Sequence, residues 1–312
     1  MSNLAYTPEE VAEKLKISKY TVYELIKRGD LNAFKVGNKM RVEEKDLEEF
    51  KQRGKTSTKT SVQKPHFVTK GKEIKITGSH DFLLEHLIKY ITKKKDIRIQ
   101  PSFIGSLEGL MQLYRGHTDM AAVHLMNADT LEFNLPFIKQ LFIQEPITVI
   151  RLAARKQGFI VKEGNPLGIM DFKDLSNKPI TFINRQKGSG TRILIDHFLT
   201  ENNIESSSIK GYENEGWNHL ETASEIKASR ADVAFGIKSA ADKLRLDFIP
   251  VISENFDIIF RWTSENQDML KTIIEVIQSN HFQESLLTIS GYDTSEIGKV
   301  IYEFGHLTGG LN

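Results

Sequence analysis

The chain reads as an α/β protein, with a two-lobed body behind a small basic N-terminal unit, and three observations predict this. From Glu73 onward, apolar strand-like runs alternate with segments of helical period, the pattern of an α/β architecture. Within that body, Leu113-Tyr114-Arg115-Gly116-His117-Thr118-Asp119-Met120-Ala121 is echoed by Ile226-Lys227-Ala228-Ser229-Arg230-Ala231-Asp232-Val233-Ala234. Each places a helix end, a small-residue turn, an Asp and a buried strand in the same order, which predicts two lobes of similar build. Residues 1–64 hold 14 Lys or Arg against 10 Asp or Glu, whereas the remainder holds 28 against 31. A basic head therefore precedes a slightly acidic body.

Composition bounds the function. At 312 residues, 39% hydrophobic and 27% charged, the chain can bury more than one sizeable core. No apolar run approaches the ~20 residues of a membrane helix, and MSNLAYTPEEVAEKLK lacks the apolar centre of a secretion signal. The absence of cysteine excludes disulfides and thiolate metal sites and fits a reducing compartment. The expected localisation is cytoplasmic, with no membrane partner.

Thr7-Pro8-Glu9-Glu10 is a helix start, with a hydroxyl cap, proline in the first turn and Glu10 three residues after the cap. It predicts a helix over 8–16, a turn at Ile17-Ser18 and a second helix to Lys27. Val11, Ala12, Leu15, Ile17, Val22, Leu25 and Ile26 supply the apolar seam. Phe34 to Val42 read as a hairpin turned at Gly37-Asn38, and a short helix over 46–51 closes the head. KQRGKTSTKTSVQK, residues 51–64, has five basic residues and no acidic one, the composition of a flexible cationic linker.

Two helices joined by a tight turn and followed by a basic hairpin outline a winged helix-turn-helix. TPEEVAEKLKISKYTVYELIKRGDLNAFKVGNKMRVEEKDLEEF resembles the excisionase-like branch of the MerR-type DNA-binding domains. The resemblance implies a second helix in the major groove, with Ser18, Lys19, Tyr20, Thr21 and Tyr23 exposed to it. Lys27 and Arg28 would add backbone contacts, and Lys35, Asn38, Lys39 and Arg41 on the wing would touch phosphates or the minor groove. One such head buries little surface on DNA, so a homodimer on a symmetric operator is expected.

In the body, Ile74-Lys75-Ile76 ends in Thr77-Gly78-Ser79-His80-Asp81 and enters a helix over 82–92. Pro101 to Ile104 end in Gly105-Ser106 and enter a helix over 107–114. Thr181-Phe182-Ile183 end in Asn184 to Gly190 and enter a helix marked by Ile193, Leu194, His197 and Phe198. A helix start leaves backbone N–H groups unpaired and partly positive, so Gly188, Ser189, Gly190 and Thr191 can present donors to one oxyanion. Arg185, Lys187 and Arg192 add charge. The Lys precedes the glycines, so this is not a nucleotide P-loop, and no Gly-x-Gly-x-x-Gly run is present. Phe256 to Phe260 read as a strand returning to the first lobe, and helices over 266–280 and 295–304 are expected on the outside. Trp217 and Tyr212, in GYENEGWNHLET, read either as stacking on a ligand or, the preferred reading, as packing under a loop.

The ordered segments TGSHD, IGSLEGLMQLYRGHTDMAAVHLMNADT, RLAARKQGFIVKEGNPLGIMDFKDL, FINRQKGSGTRILIDHFL, ASRADVAFGIKSAA, LDFIPV and GYDTSEIGKV resemble the type II periplasmic-binding-protein fold. The likeness is to the form fused to excisionase-type heads or to molybdopterin-synthesis proteins, and it spans roughly 72–305. It implies a molybdate- or tungstate-like oxyanion, or another small anion, held in a cleft between lobes. Thr77, Ser79, His80, Asp81, Ser106 and His124 would line one lobe; Arg185, Gln186, Gly188, Ser189, Gly190 and Thr191 would line the other. A proton-free dianion is best held by neutral donors, while phosphate at neutral pH carries a proton and wants an acceptor too. Asp81 would repel a dianion, so it caps the following helix, binds a proton-bearing ligand, or pairs with His80 or Arg185. His80, His124 and His219 lack metal-site spacing and read as satisfied polar histidines. No cofactor is expected beyond that anion.

The expected boundaries are 1–54 for the head, 55–71 for the linker and 72–312 for the body, with lobe 1 at about 72–154 and 253–312 and lobe 2 at about 155–252. A DNA-binding head on a ligand-binding body points to a one-component, non-enzymatic transcriptional regulator. Three alternatives stand beside it: an enzyme or accessory protein of molybdenum-cofactor metabolism using His80, Asp81 and His124, a regulator sensing a small organic anion, and an architectural protein whose body only dimerises.

Overall fold

A computed structural model describes residues 5–15, 22, 25–26, 31–36, 39–55, 72–95, 97–286 and 289–305. The chain forms two compact units, Met1–Val68 and Thr69–Asn312.

In the first unit, strand β1 (Ala5–Tyr6) and the hairpin β2 (Phe34–Val36) and β3 (Lys39–Glu43) form a three-stranded sheet ordered β1-β3-β2. Helix α1 (Pro8–Leu15) starts at the expected capping box: Glu10 N–H donates to Thr7 Oγ1 (3.2 Å) and Thr7 N–H to Glu10 Oε2 (2.7 Å). The Thr7 backbone and hydroxyl bonds hold the Glu10 carboxyl below its ordinary value. Val22, Leu25 and Ile26 are helical, and Val11, Val22, Leu25, Leu31, Val42 and Leu47 make the core. The closing helix α2 runs Glu44–Lys55, longer than expected at both ends.

The second unit is built on one ten-stranded sheet. β4 (Lys72–Gly78), α3 (Phe82–Lys94), β5 (Ile97–Phe103), α4 (Ser106–Tyr114), β6 (Met120–Val123) and α5 (Leu135–Leu141) lead to the long strand β7 (Ile147–Val161). Then come α6 (Asp174–Asn177), β8 (Phe182–Arg185), α7 (Gly190–Glu201), β9 (Glu215–Gly216), α8 (His219–Lys227), β10 (Val233–Ile237), α9 (Lys238–Leu244) and a second long strand, β11 (Asp247–Arg261). Strand order is β5-β4-β6-β11-β7-β10-β8-β9.

β7 and β11 pair along their whole length, from Asp247 opposite Val161 to Arg261 opposite Ile147. β6 joins the late part of β11 at Asp257–Phe260, whereas β10 joins the late part of β7 at Gln157–Val161. The two long strands thus belong to both halves of the sheet, which form two lobes with separate apolar cores. One core is centred on Ile74, Leu84, Ile258 and Ile274, the other on Phe159, Phe182, Leu194 and Phe235. Register shifts between Pro250 and Ile252 and between Phe256 and Asp257 interrupt the pairing where one lobe gives way to the other, and such bulges bend a strand.

The internal echo has a structural counterpart. Asp119 Oδ2 accepts the Lys75 N–H (2.8 Å) and Asp232 Oδ2 accepts the Thr181 N–H (2.8 Å). Each Asp precedes a buried strand and pins an N–H of the neighbouring one. The turns before them use left-handed backbone, Gly116 at φ 74° and Ser229 at φ 59°.

One expectation is overturned. α10 (Gln267–Gln278) matches the helix expected over 266–280, but 295–304 is not helical. After α11 (Asn280–Ser285), β12 (Tyr292–Asp293) and β13 (Val300–Phe304) both pair antiparallel with β7. Ile297, Ile301 and Phe304 have helical spacing, yet so short an apolar run does not distinguish the two periods. β-branched and aromatic residues against the free edge of β7 decide for strand.

Candidate functional site

The polar cluster between the lobes rests on three strand-to-helix junctions and the two long strands. Gly78 closes β4 at φ +117°, where a Cβ would lie 2.1 Å from the Ala122 carbonyl oxygen, so only glycine fits. Ser79 N–H donates to that same carbonyl (2.9 Å). Asp81 caps α3, its Oδ1 accepting the Leu83 and Leu84 N–H groups at 2.7 and 3.3 Å. Its Oδ2 accepts Arg155 Nη1 and the Tyr292 hydroxyl. Asp81 therefore caps and pairs at once, and its cation is Arg155 rather than His80 or Arg185.

Arg155 lies opposite Glu254 in the β7–β11 register, as Arg151 lies opposite Asp257. Arg155 Nε donates to Glu254 Oε1 (2.5 Å), and the guanidinium sits 4.3 Å from the Phe256 ring centroid. Glu254 Oε2 takes Gln157 Nε2 (2.6 Å) and His124 Nδ1 (2.8 Å). Burial alone would raise Glu254, but the Arg155 charge, His124 and the Gln157 bond overcome it and hold the carboxyl at about 2. Burial lowers His124 in spite of Glu254.

These facts fix the direction of a buried relay. An ionised Glu254 only accepts, so His124 Nδ1 carries the proton and Nε2 of the neutral ring accepts the Ser79 hydroxyl (3.0 Å). Ser79 Oγ accepts the Ser106 hydroxyl (2.8 Å), and Ser106 Oγ accepts the His124 N–H (3.1 Å).

The second lobe closes against this wall. Ser189 caps α7 by accepting the Arg192 N–H (3.1 Å). A Cβ on Gly190 would lie 2.2 Å from the His124 carbonyl oxygen and 2.6 Å from its ring. Leu107 N–H donates to the Gly188 carbonyl (3.2 Å), a direct bond between lobes. Arg185 Nε donates to Gln186 Oε1 (3.2 Å) and the Gly216 carbonyl (3.3 Å), and Nη2 to the Trp217 carbonyl (3.1 Å). Burial, then the Arg155 charge, depress Arg185 to about 9. His219 is pushed well below its ordinary value by burial, then by Arg185 and Arg155.

Seven buried side-chain atoms among the described residues make no hydrogen bond within the protein: His80 Nδ1, Arg155 Nη2, Gln157 Oε1, Arg185 Nη1, Thr191 Oγ1 and both ring nitrogens of His219. Leaving a buried polar atom unbonded costs about 1–3 kcal/mol, so such a concentration makes this the candidate site.

Of the residues expected in the cleft, Ser79, Ser106, His124, Asp81, Gly188, Gly190 and Arg185 meet along the lobe contact and the relay. His80 donates Nε2–H to Glu85 (2.9 Å), leaving Nδ1 unbonded. Gln186 positions Arg185, Ser189 caps, and Thr191 offers its hydroxyl. Thr77 stays apart, its hydroxyl tying β4 to α4 through the Gly109 carbonyl (3.1 Å). Lys187 is exposed. Arg192 turns away to Asp196 (3.1 Å), Glu215 (3.1 Å) and the Tyr212 ring. His219 is not the satisfied histidine expected. Arg155, Gln157, Glu254 and Tyr292 went unrecognised. A signal was present for two of them, since Arg155 and Gln157 alternate with apolar or exposed positions on one face of β7; Glu254 and Tyr292 carry none.

In the head, Ser18, Lys19, Tyr20, Thr21, Tyr23, Lys27, Arg28 and Asn38 lie outside the described residues. Lys35 and Lys39 sit on β2 and β3, and Arg41 donates Nη1–H to the Met40 carbonyl (2.9 Å). Among the described residues no group of His, Asp or Glu is placed to hold a metal ion, and no helix is long and apolar enough to cross a membrane.

Residues 89–278 match the PBP superfamily domain and residues 5–55 a helix-turn-helix domain. The chain is 36% identical over 312 residues to the uncharacterized protein YvgK of Bacillus subtilis (strain 168), covering 96% of this chain and 98% of YvgK. The fold resembles a candidate phosphate ABC transporter substrate-binding protein with bound phosphate from Clostridium perfringens. Its TM-score is 0.52 at 16% identity, over 71% of this chain and 99% of that one. A tungstate ABC transporter structure from Geobacter sulfurreducens gives TM-score 0.51 at 14% identity, over 68% and 96%.

The depressed Glu254 carboxyl sets a pH window. Its contribution is complete above its ordinary 4.5 and is lost as pH falls toward about 2; a shift of that size is worth about 3 kcal/mol. Glu254→Gln is expected to lower stability at neutral pH by about 3–5 kcal/mol through the charge left on Arg155. In denaturant titrations the gap to the parent protein should narrow steadily below pH 4.5; a pH-independent gap would refute the assignment.

Proposed function

The chain belongs to the PBP superfamily with a helix-turn-helix domain ahead of it, and from that premise we propose a one-component transcriptional regulator that senses a small anion between the lobes of its body. One observation carries the ligand class: Arg155 Nη2, Arg185 Nη1, Thr191 Oγ1 and His219 are buried and unbonded within the protein. Of the two guanidiniums, Arg155 is balanced by Asp81 and Glu254, whereas among the described residues no hydrogen bond links Arg185 to a carboxylate. An anion beside Arg185 would relieve the charge that burial disfavours. Molybdate, tungstate, phosphate and sulfate are the tetrahedral candidates.

The head brings the sensing to DNA and hence inside the cell, as a homodimer on a symmetric operator, in the manner of MerR-type heads. Anion binding draws the lobes together about β7 and β11, and in a dimer that movement changes the placement of the heads. Such coupling amounts to about 1–3 kcal/mol and is reciprocal, so DNA alters anion affinity by the factor with which the anion alters DNA affinity.

The Ser79–His124–Glu254 relay favours a second reading, since serine, histidine and carboxylate in that order are the parts of an acyl-transfer triad. Against it, Gly190 lies against the His124 ring and Ser79 is shut between Gly78 and Ser106. A fluorophosphonate probe is expected to leave Ser79 unlabelled; stoichiometric labelling would favour the enzyme.

Calorimetric titration of the full chain with molybdate, tungstate, sulfate and phosphate is expected to show one site per chain. Arg185→Gln should weaken that binding roughly ten- to a hundredfold, the value of a charge-assisted bond. Silence with all four anions in the parent protein overturns the oxyanion reading. For the head, Lys39→Ala with Arg41→Ala should weaken binding across DNA sequences and reduce the salt slope by about 2, read by fluorescence anisotropy across a salt series. An unchanged slope removes the wing from the interface.

A further inference from the structure

Resting on the anion-sensor reading, the unbonded atoms and the relay specify what the anion itself must carry. Gln157 donates Nε2–H to Glu254. Turning the amide over would put its oxygen against a carboxylate, so Oε1, buried and unbonded, is an acceptor without a donor. His80 donates from Nε2 to Glu85, so in the neutral ring its unbonded Nδ1 carries a lone pair. His219, with neither nitrogen bonded, offers one donor and one acceptor as a neutral imidazole.

The two serines add no donor. Ser106 spends its proton on Ser79, and Ser79 spends its own on His124 Nε2, because His124 Nδ1–H is committed to Glu254. Neither hydroxyl has a proton left for an anion. Gln157 on β7, with His80 when its ring is neutral, therefore presents a lone pair, while Arg155 Nη2, Arg185 Nη1 and Thr191 Oγ1 present donors. A ligand that is acceptor throughout would satisfy only the second set.

We infer that the site is built for a tetrahedral oxyanion that keeps a proton, as hydrogen phosphate does, and that Gln157 Oε1 accepts that proton's hydrogen bond. Fully deprotonated oxyanions leave Gln157 Oε1 facing oxygen lone pairs, and a site built to hydrogen-bond a ligand O–H rejects the analogue lacking it.

The test is calorimetric titration of the full chain with inorganic phosphate, arsenate, sulfate, molybdate and tungstate at about pH 8, above the ordinary range of histidine. Phosphate and arsenate are expected to bind at least roughly thirtyfold more tightly than the three proton-free anions. Gln157→Met, which keeps the length of the side chain but not the acceptor, is expected to reduce the phosphate-to-sulfate ratio by roughly tenfold or more. Sulfate, molybdate or tungstate binding as tightly as phosphate overturns this inference and leaves the anion sensor standing, whereas silence with all five overturns both. A ratio unchanged in folded Gln157→Met assigns the selectivity elsewhere and overturns the role of Gln157.

Discussion

The buried Arg155 guanidinium is the constraint on which the rest of the body depends. It joins Asp81 at the start of α3 to Glu254 on β11, with the Phe256 ring beneath it. Burial disfavours its charge, but Glu254 and Asp81 more than restore it. A buried ion pair adds little net stability compared with an apolar core of the same shape, yet removing one partner is severely destabilising. The arrangement thus works as a registry device. It holds β4, β7, β11 and, through Tyr292, β12 in one relation, where the sheet passes from one lobe to the other.

From that knot the polar chemistry spreads in one direction. Glu254, held ionised, orients His124; His124 orients Ser79; Ser79 orients Ser106. Each step consumes a proton that would otherwise face the cleft. The buried guanidinium least balanced by carboxylates therefore lies on the opposite lobe, at Arg185, whose hydrogen bonds go to Gln186 and to backbone carbonyls of Gly216 and Trp217. Carbonyls position a guanidinium without neutralising it, and Glu221 and Glu254 offset only part of what burial and Arg155 cost the Arg185 charge.

The two lobes are related but not equivalent. Asp119 and Asp232 pin corresponding strands by the same bond, and both lobes end a strand at a glycine-serine turn. Divergence lies in what the turns hold: the first lobe carries the serine relay, the second Arg185 and a helix start capped by Ser189. Gly105 and Leu107 touch Gly188 directly, so the two lobes meet there.

The sequence by itself determined the α/β class, the helix-turn-helix pattern, the three junctions and the internal echo. All of these are local: a capping box, a glycine before a serine and a helical period are read within a few residues. The family resemblance also named Ser79, Asp81, Ser106, His124 and Arg185, which the fold brings close to the contact between the lobes. Tertiary structure alone decided which charges are spent and which remain. Arg192 and Arg185 stand in the same motif, yet Arg192 pairs with Asp196 and Glu215 while Arg185 does not meet a carboxylate through a hydrogen bond. Arg155 and Glu254 become partners only through the antiparallel register of two strands far apart in the chain. The same competition for the edge of β7 turned 300–304 into a strand. Pairing between distant strands depends on how whole surfaces pack, and no local pattern encodes it.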